Sequence, residues 1–447
     1  MGAIRIGAGA PLSGSKIFVG DQPVKAVAVG DTIIWQLASP IVVGETSQLP
    51  NGTFSYLRRP LVWQKPTQVS TWWNAYKQRW DGVIPTTQGT DAHKVFKDLL
   101  APTPTVTTQL DTRTTVRADC WWDHDSKKLF VLSSHHLDSY FYRLSYDEVA
   151  DTYTVDPGFP VVMPDEISVS QVDGSRNHDW PVVLYRTPNG TLWAACTASH
   201  FNGAVNRRLA VARSTDGGAT WSTPINLDPT SQNGCTTIGH IVEDGVTKLV
   251  VMTNWNDEGA THGWDGYIKA WSIDSNAADI SPSNWDTETL PPAKGTEWSD
   301  DHASSVSYNN KIYVAVKTTP NQASDPQILI LVREPNTGWT SYPVAVQGVD
   351  DPTRPAIVID ATFQRIIVTW GELNPLTARI RYKAAPLNDL ASLETAEAVT
   401  VMEGAAAGRN FELGANLPRN TLTESSGVLV LAADSESLNI FRATLSL

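Results

Sequence analysis

Short apolar runs separated by polar turns recur along most of this chain. Many alternate with a period of two, the spacing of a half-buried strand, and none is long enough for a core helix. Seven runs read as the first strand of a repeating unit: residues 59–63, 117–122, 179–185, 239–242, 302–308, 354–359 and 414–417. Their starts lie roughly 50 to 65 residues apart, near the repeat of propeller blades. In most units a second run follows a tight turn, as at 128–132, 248–252, 311–316 and 365–370. The turns carry Asn189-Gly190, Asp244-Gly245 or Asn309-Asn310. Such pairs tolerate positive φ, which a two-residue hairpin requires. A third strand alternates, and a fourth is weaker and more polar, as suits an outer edge. The pattern predicts an all-β chain folded as a β-propeller of seven blades. Six is the alternative, if the Trp- and Lys-rich stretch around residues 71–97 is an accessory element.

The last unit has strands two and three at 427–431 and 438–445 and no outer strand after them. Residues 40–44 precede the first unit and have no other partner. We therefore expect residues 40–49 to pair on the last blade and close the ring, within a propeller spanning 38–447. Residues 1–37 form a separate small β module. Two copies of a short apolar strand ending in Gly-Asp, at 16–21 and 26–31, are followed by Thr-Ile-Ile-Trp at 32–35. A β module of this size buries too little to stand alone, so it needs a partner surface.

Residues 214–221 read Ser-Thr-Asp-Gly-Gly-Ala-Thr-Trp. The stretch resembles the Asp box, S-x-D-x-G-x-T-W, of sialidase-like β-propellers. Its roles there are structural and fall here on Ser214, Asp216, Gly218 and Trp221: Asp216 accepts hydrogen bonds from turn amides, the glycines supply positive φ, and Trp221 anchors the hairpin. The resemblance speaks for a fold and is nearly silent on activity. Residues 283–285 and 336–339 read as decayed copies of the same turn. The V-G-D…V-G-D-T-x-x-W segment within residues 1–37 resembles the start of minor tail proteins of actinobacterial tailed phages. Residues 59–63 and 73–80 look like propeller-type members of that group. This resemblance implies a virion protein at the tail tip, synthesised in the host bacterial cytoplasm. Residues 1–37 would attach it to other phage tail proteins, and the propeller would recognise a host surface glycan or protein.

Composition narrows the partners. A net charge of −13 argues against nucleic acid, which needs a basic face. No apolar run nears the roughly 20 residues of a membrane span, so no membrane insertion is expected. The N-terminus lacks the apolar core of a signal peptide, which fits synthesis in a cytoplasm. Cys120, Cys196 and Cys235 are odd in number and widely spaced, and they read as buried thiols. No cofactor is predicted.

Candidate chemistry sits where first strands begin, positions expected to face the central funnel. They are Arg59, Arg117, His178, Asp179, His240, Asp301, His302 and Arg354, with Asp300 alongside. On one reading they line a polar ligand site; on the plainer one they tie adjacent blades together. His178, His240 and His302 with Asp179, Asp300 and Asp301 would hold a divalent metal only if their blades bring them together. Arg59, Arg117 and Arg354 invite a sialidase comparison, because a guanidinium fork matches a substrate carboxylate. That chemistry also needs a Tyr nucleophile, a Glu partner and an acid, and the sequence assigns none of them. Asp179 with Asp301 is the alternative pair for another glycoside hydrolase. Trp255, Trp264 and Trp298 lie in polar loops that read either as a sugar-binding surface or as packing between blades. The expected function is a phage minor tail protein that binds host envelope glycan through the loops before the first strands. The alternatives are a glycan-cleaving hydrolase and a purely structural tail-tip component.

Overall fold

The computed structural model describes residues 18–19, 22–23, 26–29, 32–36, 40–50, 70–85, 93–111, 117–134, 138–167, 182–201, 204–228, 232–256, 268–288, 290, 303–318, 323–372, 378–404, 422, 425–433 and 440–447. Among them no α-helix occurs, and the two 3-10 turns are Pro282–Asn284 and Leu390–Leu393. The chain is a seven-bladed β-propeller, each blade an antiparallel sheet built from consecutive strands.

Blade 1 comprises Ser70–Asn74, Arg79–Pro85, His93–Lys97 and Thr105–Asp111. Blade 2 comprises Arg117–Asp123, Lys128–Ser134, Ser139–Asp147 and Thr152–Val155. Blade 3 follows with Val183–Arg186, Leu192–Phe201, Ala204–Ser214 and Ile225–Asn226. Blade 4 has Gln232–Glu243, Val246–Asn256, Ile268–Asp274 and Asp286–Glu288. Blade 5 has Ala303–Tyr308, Lys311–Lys317, Pro326–Glu334 and Gly338–Val346. Blade 6 has Pro352–Asp360, Arg365–Glu372, Arg379–Pro386 and Val399–Glu403. The hairpins follow their turn residues. Asp244 and Gly245 have φ of 50° and 77°, and Asn309 and Asn310 have 47° and 56°. Two positive φ values in a row make the type I′ turn that matches strand twist.

One expectation about the start of the propeller changes. Among the described residues the first blade starts with Ser70–Asn74, and the 59–63 run with Arg59 lies outside them. The stretch around 71–97 is no accessory element but strands one to three of that blade, which removes the six-bladed alternative. Its polar look has a physical cause. Asp81 is fully buried, and its carboxylate takes Arg79 Nε at 2.8 Å, the Tyr153 hydroxyl at 2.8 Å and Asn74 Nδ2 at 3.0 Å. Arg79 also reaches Asp151 of blade 2 at 2.6 Å. A charge buried on a strand must be paired in this way, and here the pairing locks two blades together.

First strands are innermost and run parallel from blade to blade. Asp119 accepts the Leu184 N–H at 2.7 Å, and Ser307 Oγ accepts the His240 N–H at 2.9 Å. Asp360 and Leu422 form a parallel bridge. Between blades, the opposed sheet faces bury separate apolar clusters. Phe130 and Phe141 of blade 2 pack with Leu184 and Ala194 of blade 3, and Trp193 and Val211 of blade 3 pack with Leu249 and Trp271 of blade 4.

The 214–221 turn joins strands three and four of blade 3. Asp216 accepts from Ser214 Oγ at 2.8 Å, Thr220 N–H at 2.9 Å and Thr220 Oγ1 at 2.6 Å. Burial raises its carboxyl pKa, but those hydrogen bonds outweigh burial and hold it at about 2. Gly218 has φ of 89°, and a Cβ there would lie 1.9 Å from the Phe141 ring of blade 2. Trp221 packs edge-on against Phe141 at 5.1 Å. Trp285, in the equivalent turn of blade 4, packs on Trp193 of blade 3 at 6.1 Å. Each such Trp therefore clamps its blade to the one before it.

Blade 7 draws on both ends of the described chain. Its strands Val428–Ala433 and Ile440–Ser446 carry Val42–Val43 and Ser47–Gln48 along their outer side. Gly44 N–H donates to Thr444 O at 2.7 Å, and Leu49 N–H to Ile440 O at 2.9 Å. A Cβ on Gly44 would sit 2.4 Å from Thr444 Oγ1, so glycine permits the close approach. Leu49 is buried in the cluster that blade 7 shares with blades 1 and 6. Arg442 Nη1 donates to the Ala101 carbonyl at 2.9 Å, and Trp80 Nε1 to the Ser426 carbonyl at 3.1 Å, which joins blade 7 to blade 1. The 414–417 run lies outside the described residues. Nearer the N-terminus, Phe18–Val19 pairs with Gln22–Pro23, and Ala26–Val29 with Thr32–Gln36.

This closure generates a test. A 38–447 chain should keep the thermal midpoint of the full chain in a cooperative unfolding scan. A 51–447 chain loses the outer pairing of blade 7, exposes its edge, and should unfold earlier and aggregate. Equal midpoints and equal solubility for the two truncations would show that residues 40–49 do not close the ring.

Candidate functional site

The propeller has an entrance end, where first strands begin, and an opposite end, where they turn into second strands. At the entrance end the described residues single out Arg354. It lies on the first strand of blade 6, where the register to the second strand shifts between Thr353 and Ala356. The bulge puts Arg354 at φ of 52°. A left-handed conformation costs a residue with a Cβ roughly 1 to 2 kcal/mol, so something must hold it there. The side chain adds a second cost. Arg354 Nε and Nη1 are both buried and have no hydrogen-bond partner.

Acids nearby on the chain are already engaged. Glu372, opposite Pro352 in the sheet, takes Arg379 Nε at 2.8 Å and Arg381 Nη1 at 3.4 Å. Asp350 pairs with Arg379 at 3.5 Å, and Asp351 accepts Gln327 Nε2 at 2.6 Å. Two costs therefore fall on one residue, backbone strain and buried donors without partners.

His240 is placed differently from expectation. Its strand, Gln232–Glu243, is long, and His240 lies toward the turn end rather than at the entrance. Its Nδ1 is 2.6 Å from the Tyr185 hydroxyl of blade 3, which is 3.0 Å from Ser307 Oγ of blade 5. Burial holds the imidazole below its ordinary 6.5. The Tyr185 hydroxyl donates to Ser307 and shares its other hydrogen bond with the His240 ring, so the trio joins three blades, and the plainer reading applies to this residue. His240 and Arg354 thus sit toward opposite ends of parallel inner strands and do not share a site.

Of the remaining positions, Arg117 opens the first strand of blade 2, opposite Ser134 in the sheet. Trp255 lies on the second strand of blade 4, opposite Asn233. His178, Asp179, Trp264, Trp298, Asp300, Asp301 and His302 lie outside the described residues. Among the described residues no group of His, Cys, Asp or Glu is arranged to hold a metal ion. Cys120, Cys196 and Cys235 are buried.

One concavity went unmarked by any motif. Between blades 4 and 5, at the turn end, a cleft of about 580 Å³ opens beside Ser272, Glu288 and Trp339. The readable signal was a comparison of third strands, where Arg143 and Arg213 have Ser272 as their counterpart.

No protein-family model matches the chain, and no curated protein matches it in sequence. Among solved structures it is similar to the polysaccharide lyase Uly1, with a TM-score of 0.47, 8% identity, and coverage of 90% of this chain and 94% of that one. It is similar to BBS1N from its complex with ARL6DN, with a TM-score of 0.46, 9% identity, and coverage of 88% and 97%. It is also similar to the NanB sialidase of Streptococcus pneumoniae, with a TM-score of 0.39, 10% identity, and coverage of 92% and 71%. These are likenesses of blade architecture, and such a fold hosts unrelated functions.

The buried imidazole gives a pH dependence. Unfolded, His240 binds a proton near its ordinary 6.5; folded, it binds one only at lower pH. Its contribution to stability is therefore full above about pH 6.5 and shrinks as pH falls through the depressed folded value. Thermal unfolding near pH 7.5 and near pH 5, compared between the parent and His240→Gln, should show the larger acid loss in the parent. Identical losses would remove His240 from the acid response.

Proposed function

We propose that this chain is a tail-tip component of a tailed bacteriophage that binds the host surface through the entrance end of its propeller. The observation that carries the binding part is Arg354, strained and unpaired at the start of an innermost strand. A guanidinium fork fits a carboxylate or a phosphate with two parallel hydrogen bonds. Acidic glycans of a bacterial envelope present both groups, so the ligand of this reading is an acidic envelope glycan. Loops at one end of a rigid scaffold suit recognition, because they can vary while the blades stay fixed. The tail assignment rests on the resemblance of residues 1–37 to phage minor tail proteins. In that arrangement the small module docks on other tail proteins and the propeller faces outward.

Cleavage of the glycan is the less favoured reading. It needs two carboxyl groups free to flank the scissile bond. Glu372 and Asp350, described acids tied into this end of blade 6, are engaged by arginines, and the Asp179–Asp301 pair lies outside the described residues.

Binding to purified host envelopes tests the reading. Arg354→Ala should weaken it by about 2 kcal/mol or more, roughly thirtyfold. Arg354→Gly also relieves the left-handed backbone, so it should lose binding while keeping or raising the thermal midpoint. A variant that stays folded and binds like the parent would sink the Arg354 assignment. The attachment role has its own check: the 38–447 chain should fail to co-purify with tail proteins that retain the full chain. Equal recovery of both would reject it.

A further inference from the structure

The junctions between blades 2 and 3, and between blades 3 and 4, are sealed at the turn end in the same way. Arg143 on the third strand of blade 2 donates to the Gly217 carbonyl of blade 3 at 3.2 Å. Arg213 on the third strand of blade 3 donates to the Ala278 carbonyl of blade 4 at 2.8 Å. In each case an arginine reaches across, and the next blade's long 3–4 turn folds over it. The junction between blades 4 and 5 departs from this on both sides. The third strand of blade 4 carries Ser272 at the matching place, two residues past the core position held by Phe141, Val211 and Ala270. The 3–4 connection of blade 5 is a tight hairpin, paired up to Glu334 and Gly338. A small side chain and a short turn leave the cleft of about 580 Å³ unfilled.

We propose that this cleft is a second ligand site, built for one neutral sugar residue. The volume falls within the roughly 300–1,000 Å³ of small-molecule pockets. With Glu243 behind it, the lining carries three carboxylates against two cations. Lys248 and Arg333 supply two positive groups, and Asp286 and Glu288 two negative ones. The inner charges are already neutralised. Arg333 binds Glu288 and Glu243, each at 2.8 Å, and Lys248 reaches Glu243 at 3.3 Å. With both cations already paired, an anionic ligand would meet Asp286 uncompensated, so a sugar without an acid group is favoured over a uronic acid.

The lining offers an aromatic ring and hydroxyls. Trp339 is half-buried, and Glu288 fixes its indole N–H at 2.5 Å, which sets the ring as one wall. Ser272 lies at the base, and Thr287, Thr337 and exposed Asp286 stand at the rim. A sugar presents an apolar face to such a ring and hydroxyls to such a rim. The site is separate from Arg354, at the opposite end of the propeller, and either can fail while the other holds.

The test uses the full chain and a panel of neutral monosaccharides: glucose, galactose, mannose, rhamnose, arabinose and N-acetylglucosamine. Binding is read by titration calorimetry and ligand-observed NMR, with glucuronic acid as the charged comparison. At least one neutral sugar should bind, more tightly than glucuronic acid. Ser272→Arg, which restores the arginine of blades 2 and 3, should weaken that binding about tenfold or more. Asp286→Ala, an exposed change that leaves the packing intact, should weaken it in the same direction. Arg354→Ala should leave it unchanged. The proposal is overturned if no panel sugar binds, if glucuronic acid binds more tightly, if binding survives Asp286→Ala, or if Arg354→Ala abolishes it.

Discussion

Every blade of this propeller is buried on both faces, and that constraint governs the rest. A single four-stranded sheet with two apolar faces is not viable in water. Each one needs a neighbour on both sides, and a closed ring satisfies all of them. Fully burying one Leu- or Phe-sized side chain is favourable by roughly 1.5 to 3 kcal/mol, and each junction buries several. The polar links follow from this packing. Once apolar faces set the distance between blades, Asp119, Ser307 and Asn310 reach the neighbouring inner strand, and the 3–4 turns close over the outer part.

The same rigidity lets two places depart from the pattern. At Arg354 the backbone is strained and the guanidinium lacks partners. Between blades 4 and 5 a seal used at two other junctions is missing. Neither departure threatens the ring, because the apolar clusters on either side hold it. A scaffold with spare stability tolerates local sites that are poor for folding and useful for binding.

Much of the fold was legible in the sequence because its signals are local. Asp244-Gly245 and Asn309-Asn310 marked hairpins through the φ they tolerate, and Trp221 and Trp285 marked the 3–4 turns. The first blade was harder to read, because Arg79 and Asp81 look like surface. Their charges are hidden by partners from the next blade, and pairing across blades leaves no trace in a window of neighbours. His240 was assigned to the wrong end because its strand is longer than its apolar part suggests. Arg354 was legible as a residue type at a strand start, but its bulge and its missing partners are three-dimensional facts. The cleft was not legible motif by motif, because it arises from what Ser272 is not.

The pairing on blade 7 also has a consequence in time. Ser47 and Arg442, which meet there, are 395 residues apart. The entropic cost of closing such a loop grows only as the logarithm of its length, so the finished ring bears it easily. The search is another matter, since distant pairings form slowly and domains fold as synthesis proceeds. Residues 42–48 leave the ribosome long before Ser446 and have no strand to meet until it has followed. Until then the chain carries an open edge at each end of a growing arc, and the two edges match. The quickest partner for one nascent edge in a crowded cell is the matching edge of another chain. Yield should therefore depend on how sparsely nascent chains are made, through a step that the stability of the finished ring does not reveal.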